Sequence, residues 1–277
     1  MSEPTTHSHR LGTAFHESFA LNRPAIQQVL DIARQSPENL TFDGLRATTN
    51  LGRNYVKSMP RYCIGCGLLA EDNTLTPFGR VVVAHDPGLQ KAQTQWLMHY
   101  FLSVEGGSGP LFWRDLVVTH LRIGSAVDAD QVAGWVSESV LRTGAKPLAE
   151  RTLRDTARVF LRTYSRDDGL GQIGLISESK QHKGQYVVRM PSPPGAWVIG
   201  AALTDLWQRR WPHQATTNLG DVSESLGDIF FMGHSGLADA LRELQRHELI
   251  DIYRVAPPFQ VVKTWEHAAD AWSRLYE

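Results

Sequence analysis

A chain of 277 residues, 42% of them hydrophobic and 21% charged, is long enough for two or three cores and too apolar to remain disordered. Two cysteines exclude a disulfide framework; no apolar run reaches the roughly 18 residues of a spanning helix and the first 20 residues hold no signal-peptide core, so the expected setting is the cytoplasm. Twenty-eight Lys and Arg against 29 Asp and Glu leave a net charge of −1, which excludes an indiscriminately basic, histone-like binder of nucleic acid.

Residues 1–14 are polar and read as a flexible terminus. Helical text begins after residue 15, with Ala25, Val29, Ile32 and Ala33 at helical spacing behind Pro24, a first-turn residue. The polar break at Ser36-Pro37-Glu38-Asn39 ends that helix. A short helix over 43–48, a tight turn at 49–52 and a longer helix over 53–66 follow, then a hairpin whose second strand is expected at Val81-Val82-Val83. Helix, short helix, turn, helix and hairpin is the order of a winged helix-turn-helix, assigned to residues 15–92.

Residues 93–190 form a helical middle domain with a second helix-turn-helix-like unit. Trp96, Leu97, Tyr100 and Phe101 share a helical face, Glu105 to Pro110 is a Gly-rich hinge, and a helix runs over 112–121. Asp128 is placed to cap the next helix, Gly144 to Pro147 breaks it, and a helix resumes over 150–164. Tyr186-Val187-Val188 is strand-like, and Ser192-Pro193-Pro194-Gly195 marks a boundary. Residues 191–277 repeat the layout: a helix through Leu203 and Trp207, a short helix over 220–226, a helix over 235–247, and two strands over 249–255 and 259–262 separated by Pro257-Pro258. The expected fold is mostly α with small β wings, built as tandem winged helix-turn-helix units.

Positive charge is segregated. Arg53, Lys57 and Arg61 recur every four residues; between Arg46 and Arg61 there are four basic residues and no acidic one. Asn54 stands at the N-terminal end of that helix, the end that meets base edges in a helix-turn-helix while Arg and Lys meet phosphates. Arg151, Arg154, Arg158, Arg162 and Arg166 form a second stripe; residues 142–166 hold seven basic and two acidic residues, a net +5. A solvated face normally mixes both signs, whereas this stripe has only Asp155 among its arginines and invites an anionic partner. The competing reading is that acids elsewhere in the protein pair with it.

Other motifs carry little chemistry. Cys63 and Cys66 form a lone C-x-x-C without the β-α-β context of a redox site or the further ligands of a zinc site, so they read as small buried residues. His16 and Glu17 are chain neighbours that do not face one another, and read as structural. Gly233-His234-Ser235-Gly236 lacks the glycine spacing of a nucleophile elbow. Pro60 falls inside the first basic helix and is expected to kink or end it. No phosphate loop, dinucleotide fingerprint, metal motif or catalytic constellation is present, so neither a cofactor nor an enzymatic activity is expected.

Phe15-His16-Glu17-Ser18-Phe19, Leu51 to Ser58, Leu75-Thr76-Pro77-Phe78-Gly79 and Gln95 to Tyr100 together resemble a bacterial domain-of-unknown-function family, number four thousand and seven, over residues 15–120. Ser18 stands where the family usually has Thr, and Pro60 where its helix usually continues. The resemblance implies a setting in phage-defence and DNA phosphorothioation islands, beside sulfurtransferases resembling phosphoadenosine-phosphosulfate reductase. The resulting expectation is a non-catalytic, double-stranded DNA-binding accessory or targeting subunit, with Arg46, Arg53, Asn54, Lys57, Arg61, Arg151, Arg154, Arg158, Arg162 and Arg166 at the interface and room for a homodimer. A transcriptional regulator of the same island and an adaptor docking the sulfurtransferase are the alternatives.

Overall fold

The computed structural model describes residues 10–267 and 269–277, without the side chains of His234 and Ala269. The expected flexible terminus therefore lies, for residues 1–9, outside the described residues. Helix α1 (Arg23–Gln35) starts where Asn22 Oδ1 accepts the Ala25 N–H and Pro24 fills the first turn. It buries Ala25, Ile26, Val29, Leu30 and Ala33. Thr41 caps α2 (Phe42–Thr48), a four-residue turn follows, and α3 (Arg53–Gly65) packs across α1. Of the two effects expected of Pro60, a kink or an end, the helix does not end there: α3 continues to Gly65.

The chain then makes one antiparallel bridge, Leu69 to Leu75, and enters α4 (Pro77–His85). The strand expected at Val81-Val82-Val83 is thus helix. Thr76 Oγ1 accepts the Gly79 N–H and Pro77 occupies the first turn, and this start signal overrides the β preference of three valines. Helix α5 (Ala92–Ser103) buries every residue from Thr94 to Ser103, packed against α3 and the segments that follow it.

Short α6 (Leu111–Arg114) widens into a π-helical turn over Asp115–His120, where a plain helix is expected. Strand β1 (Ala126–Asp128) leads to α7 (Ala129–Arg142), capped by Asp128 as expected, and then α8 (Glu150–Ser165). Strands β2 (Ile176–Glu178) and β3 (Gln185–Val188) complete an antiparallel sheet in the order β1-β3-β2, with Ala126 opposite Val187 and Ile176 opposite Val188. The C-terminal part follows the same path. Buried α9 (Ala196–Arg210), β4 (Thr216–Asn218), α10 (Leu219–Gly227), α11 (His234–Arg246), β5 (Ile250–Tyr253) and β6 (Gln260–Lys263) give a sheet ordered β4-β6-β5, and α12 (Ala269–Ser273) returns against α9 and α4. Buried apolar side chains from Phe15 to Leu275 form one continuous cluster. The fold is therefore mostly α with two small antiparallel sheets. Among the described residues no helix is long and apolar enough to cross a membrane.

Candidate nucleic-acid interface

Helix α3 presents its basic residues on one outward strip. Arg53, Asn54 and Arg61 are exposed and Lys57 is half-buried, while Val56, Met59, Tyr62 and Cys63 face the core. Arg46, exposed on α2, donates to the Leu51 carbonyl across the turn and is partly committed there. Arg61 donates to the Phe15 carbonyl and to Glu17 Oε1 at 3.1 Å. Among the described residues Arg53 and Lys57 have no ion pair. Cys63 and Cys66 are buried free thiols whose pKa values burial pushes up, which is the structural role expected of them.

On α8, Arg151, Arg154, Arg158 and Arg162 are exposed, as is Arg166 just beyond its end, and Thr156, Ala157, Phe160, Leu161, Thr163 and Tyr164 are buried behind them. The five do not stand as a bare cationic stripe. Arg154 holds Asp130 at 2.9 Å and Glu150 at 3.0 Å, Arg151 and Arg158 share Asp155 at 3.9 and 3.4 Å, and Arg166 clasps both oxygens of Asp168 at 2.8 and 2.7 Å. Counting within the helix missed Asp130 and Asp168, which reach it from α7 and from the following loop. Among the described residues only Arg162 of the five lacks an ion pair.

Residues 15–22 lie between the two helices as a non-helical strap. His16 is 2% exposed. The Ser18 N–H donates to its Nδ1, which leaves the proton on Nε2 to donate to Thr156 Oγ1 at 3.1 Å, and Thr156 in turn donates to the Thr152 carbonyl. Burial lowers the pKa of His16 to about 4, against smaller upward pulls from Asp155 and Glu17. Glu17 points the other way, to Arg61. Tyr62 Oη donates to the Phe19 carbonyl, the Leu21 N–H donates to Thr163 Oγ1, and Asn22 Nδ2 donates to Asp168.

The strap brings the two basic elements to one place. Tyr55, near the N-terminus of α3, packs against Phe19 with ring centroids 4.8 Å apart and planes tilted by 58°. A cleft of about 210 Å³ runs between Tyr55, the strap and the Arg162, Arg166 and Asp168 side chains. On the far side, Tyr186 of β3 is within electrostatic reach of Arg158 and Arg162. Tyr55 is legible in the sequence, next to Asn54 at the base-edge end of α3, whereas Phe19, Asn22 and Asp168 are not, because each acts through a neighbour distant in sequence. Of the ten candidate residues only Arg162 and Arg166 line this cleft; Arg46, Arg53, Asn54, Lys57 and Arg61 of α2 and α3, and Arg151, Arg154 and Arg158 of α8, lie outside it.

A family model described as "Protein of unknown function (DUF4007)" matches residues 14–275. The comparison with curated proteins returned no match. Two solved structures share the fold. One, titled "Magnesium ion-bound SspB crystal structure", has a TM-score of 0.78 and 17% identity over 95% of this chain and 87% of its own. The other, "SspB crystal structure", has a TM-score of 0.75 and 16% identity over 98% of this chain and 95% of its own. Among the described residues no group of three or more His, Cys, Asp or Glu side chains is gathered to hold a metal ion.

Proposed function

Because the chain belongs to the DUF4007 family, whose description assigns no activity, we propose from the geometry of its basic helices that it binds double-stranded DNA, and from the setting that the family resemblance implies that it does so as an accessory or targeting subunit of a phosphorothioation-type DNA-modification system. The observation that carries this reading is the cleft between Tyr55 of α3 and Arg162 and Arg166 at the end of α8; outside it, Arg53 and Lys57 on α3 are, like Arg162, free of ion pairs among the described residues. The element order helix, strand, two helices, two strands, with the last strand central in each sheet, supports a winged helix-turn-helix for the middle and C-terminal parts. In such a unit α8 takes the position of the helix that enters the major groove.

The ion pairs of α8 are compatible with this role. Exposed pairs contribute only about 0.2–1 kcal/mol each, so a DNA phosphate can replace a carboxylate at little cost. The same pairs favour a second reading, a protein adaptor docking a sulfurtransferase, because arginines already matched to carboxylates suit an acidic protein surface. A salt-titrated anisotropy assay with plain and phosphorothioated duplexes separates the two. Lys57→Glu with Arg162→Glu should weaken binding at least tenfold and flatten its salt dependence; unchanged affinity and slope would sink the DNA reading. The accessory role also expects a supercoiled plasmid to remain covalently closed when incubated with the protein and magnesium. Strand cleavage would replace that role with a nuclease.

A further inference from the structure

We propose that a cavity remote from the basic cleft, where α4, α5, α9 and α12 meet, is a binding site for a planar aromatic anion. Its volume is about 360 Å³, within the range of small-molecule sites. Its floor is a slab of three side chains. Phe78 stacks on Phe101 at 5.5 Å and 25°, Phe101 on Trp272 at 6.3 Å and 17°, and Trp272 lies 5.7 Å from Phe78 at 35°. A slab of near-parallel rings favours a flat apolar body laid against it. The close seat of Phe101 depends on Gly67, which has φ +70°; a Cβ there would lie 2.4 Å from the ring.

Charge at the rim sets the sign of the ligand. Arg209 is spent within the protein: Nε and Nη2 donate to the two oxygens of Asp205 at 2.7 and 3.1 Å, and Nη1 donates to the Gly106 carbonyl. Tyr100 Oη donates to the same carboxylate at 2.9 Å. That pair is neutral overall. Arg80 donates to the Leu75 carbonyl at 2.6 Å and, among the described residues, has no carboxylate partner. One uncommitted guanidinium at the mouth of an apolar cavity selects an anionic group, which it can grip with its remaining N–H donors. None of the residues assigned to DNA lines this cavity, so the inference stands apart from the DNA reading.

The test uses 8-anilinonaphthalene-1-sulfonate, a flat aromatic anion, with the full chain and fluorescence as the readout. One saturable site is expected. Arg80→Glu should weaken it at least tenfold, and Ala70→Trp, which fills the mouth, should abolish it. The uncharged N-phenyl-1-naphthylamine should bind at least tenfold more weakly than the sulfonate. The proposal is overturned by the absence of a saturable site, by an affinity that neither substitution changes, or by equal binding of the neutral probe. Arg80 is exposed, so its substitution decides the matter even where Ala70→Trp compromises folding.

Discussion

Two buried histidines make the stability of this protein depend on pH. His16 is held by Ser18 and Thr156. His99 is fully buried: its Nε2 proton is donated to the Ile229 carbonyl, and its Nδ1 accepts from Tyr164 Oη, which accepts in turn from Trp113 Nε1. Burial lowers both pKa values from 6.5 to about 4, the Ile229 carbonyl opposing the shift at His99. Between those limits the unfolded chain binds more protons than the folded one. Stability is therefore full above pH 6.5 and drains away as pH falls toward 4, by at most about 3 kcal/mol for each ring. Urea midpoints at pH 7, 5.5 and 4.5 should fall in that order, and His99→Gln should remove close to one proton from the slope. A midpoint flat across this range would refute the neutral, locked rings. The sequence exposes the pairing of His16 with Glu17 as non-functional, yet it cannot show Thr156, 140 residues away, as the true partner.

At the scale of elements, helix start signals were legible and side-chain partners were not. Asp128 is an N-cap in the sequence and in the structure because a cap is a contact with residues two and three further on. The three valines of α4 favour a strand as a β-branched run, but the Thr76-Pro77 start signal decides for helix. The acids that partner α8 come from other elements, so counting charge along the helix overstated its excess. Two predictions follow from this arrangement. Arg162→Ala should lower DNA affinity and reduce the salt slope by about 1, and Arg166→Ala, whose carboxylate partner a phosphate can replace, should do the same; an unchanged slope for Arg166→Ala alone would show that its ion pair with Asp168 keeps it off the DNA. In α3, Pro60 withholds a backbone N–H inside a helix that continues regardless. Pro60→Ala should restore a bond to the Val56 carbonyl and raise stability by about 1–3 kcal/mol in urea unfolding; a destabilised variant would show that the ring's packing outweighs the lost bond.

Over the whole molecule, one buried arginine ties together segments that are far apart in the chain. Arg23, 4% exposed, donates Nε to the Gly169 carbonyl, Nη1 to that of Leu89 and Nη2 to that of Asp167. Burial lowers its pKa, and Asp86, Asp168 and Asp167 oppose the shift. Arg23→Met keeps the apolar stem but removes the side-chain donors of the Gly169 and Asp167 carbonyls, while that of Leu89 keeps Gln95 Nε2, and should cost at least about 2 kcal/mol in urea unfolding; a loss under about 1 kcal/mol would mean that the loops hold without it. The order of the helices and the strand character of 186–188, 249–255 and 259–262 are readable from periodicity and turn residues, but three-residue β1 and β4 are too short to show a pattern, and the approach of Tyr55 on α3 to the end of α8 depends on the strap between them. That strap also sets an order of events in the cell. Its bonds to Thr156 and Thr163 span 140 and 142 residues. At a ribosomal rate of about 5–20 residues per second, the earliest-made part of the described chain waits roughly 7–28 s for its seat to be synthesised. Until then His16 and the Leu21 N–H have no partner, and a nascent chain stopped before residue 150 should leave residues 15–22 accessible to protease although the ring partners of Phe15 and Phe19 are already made.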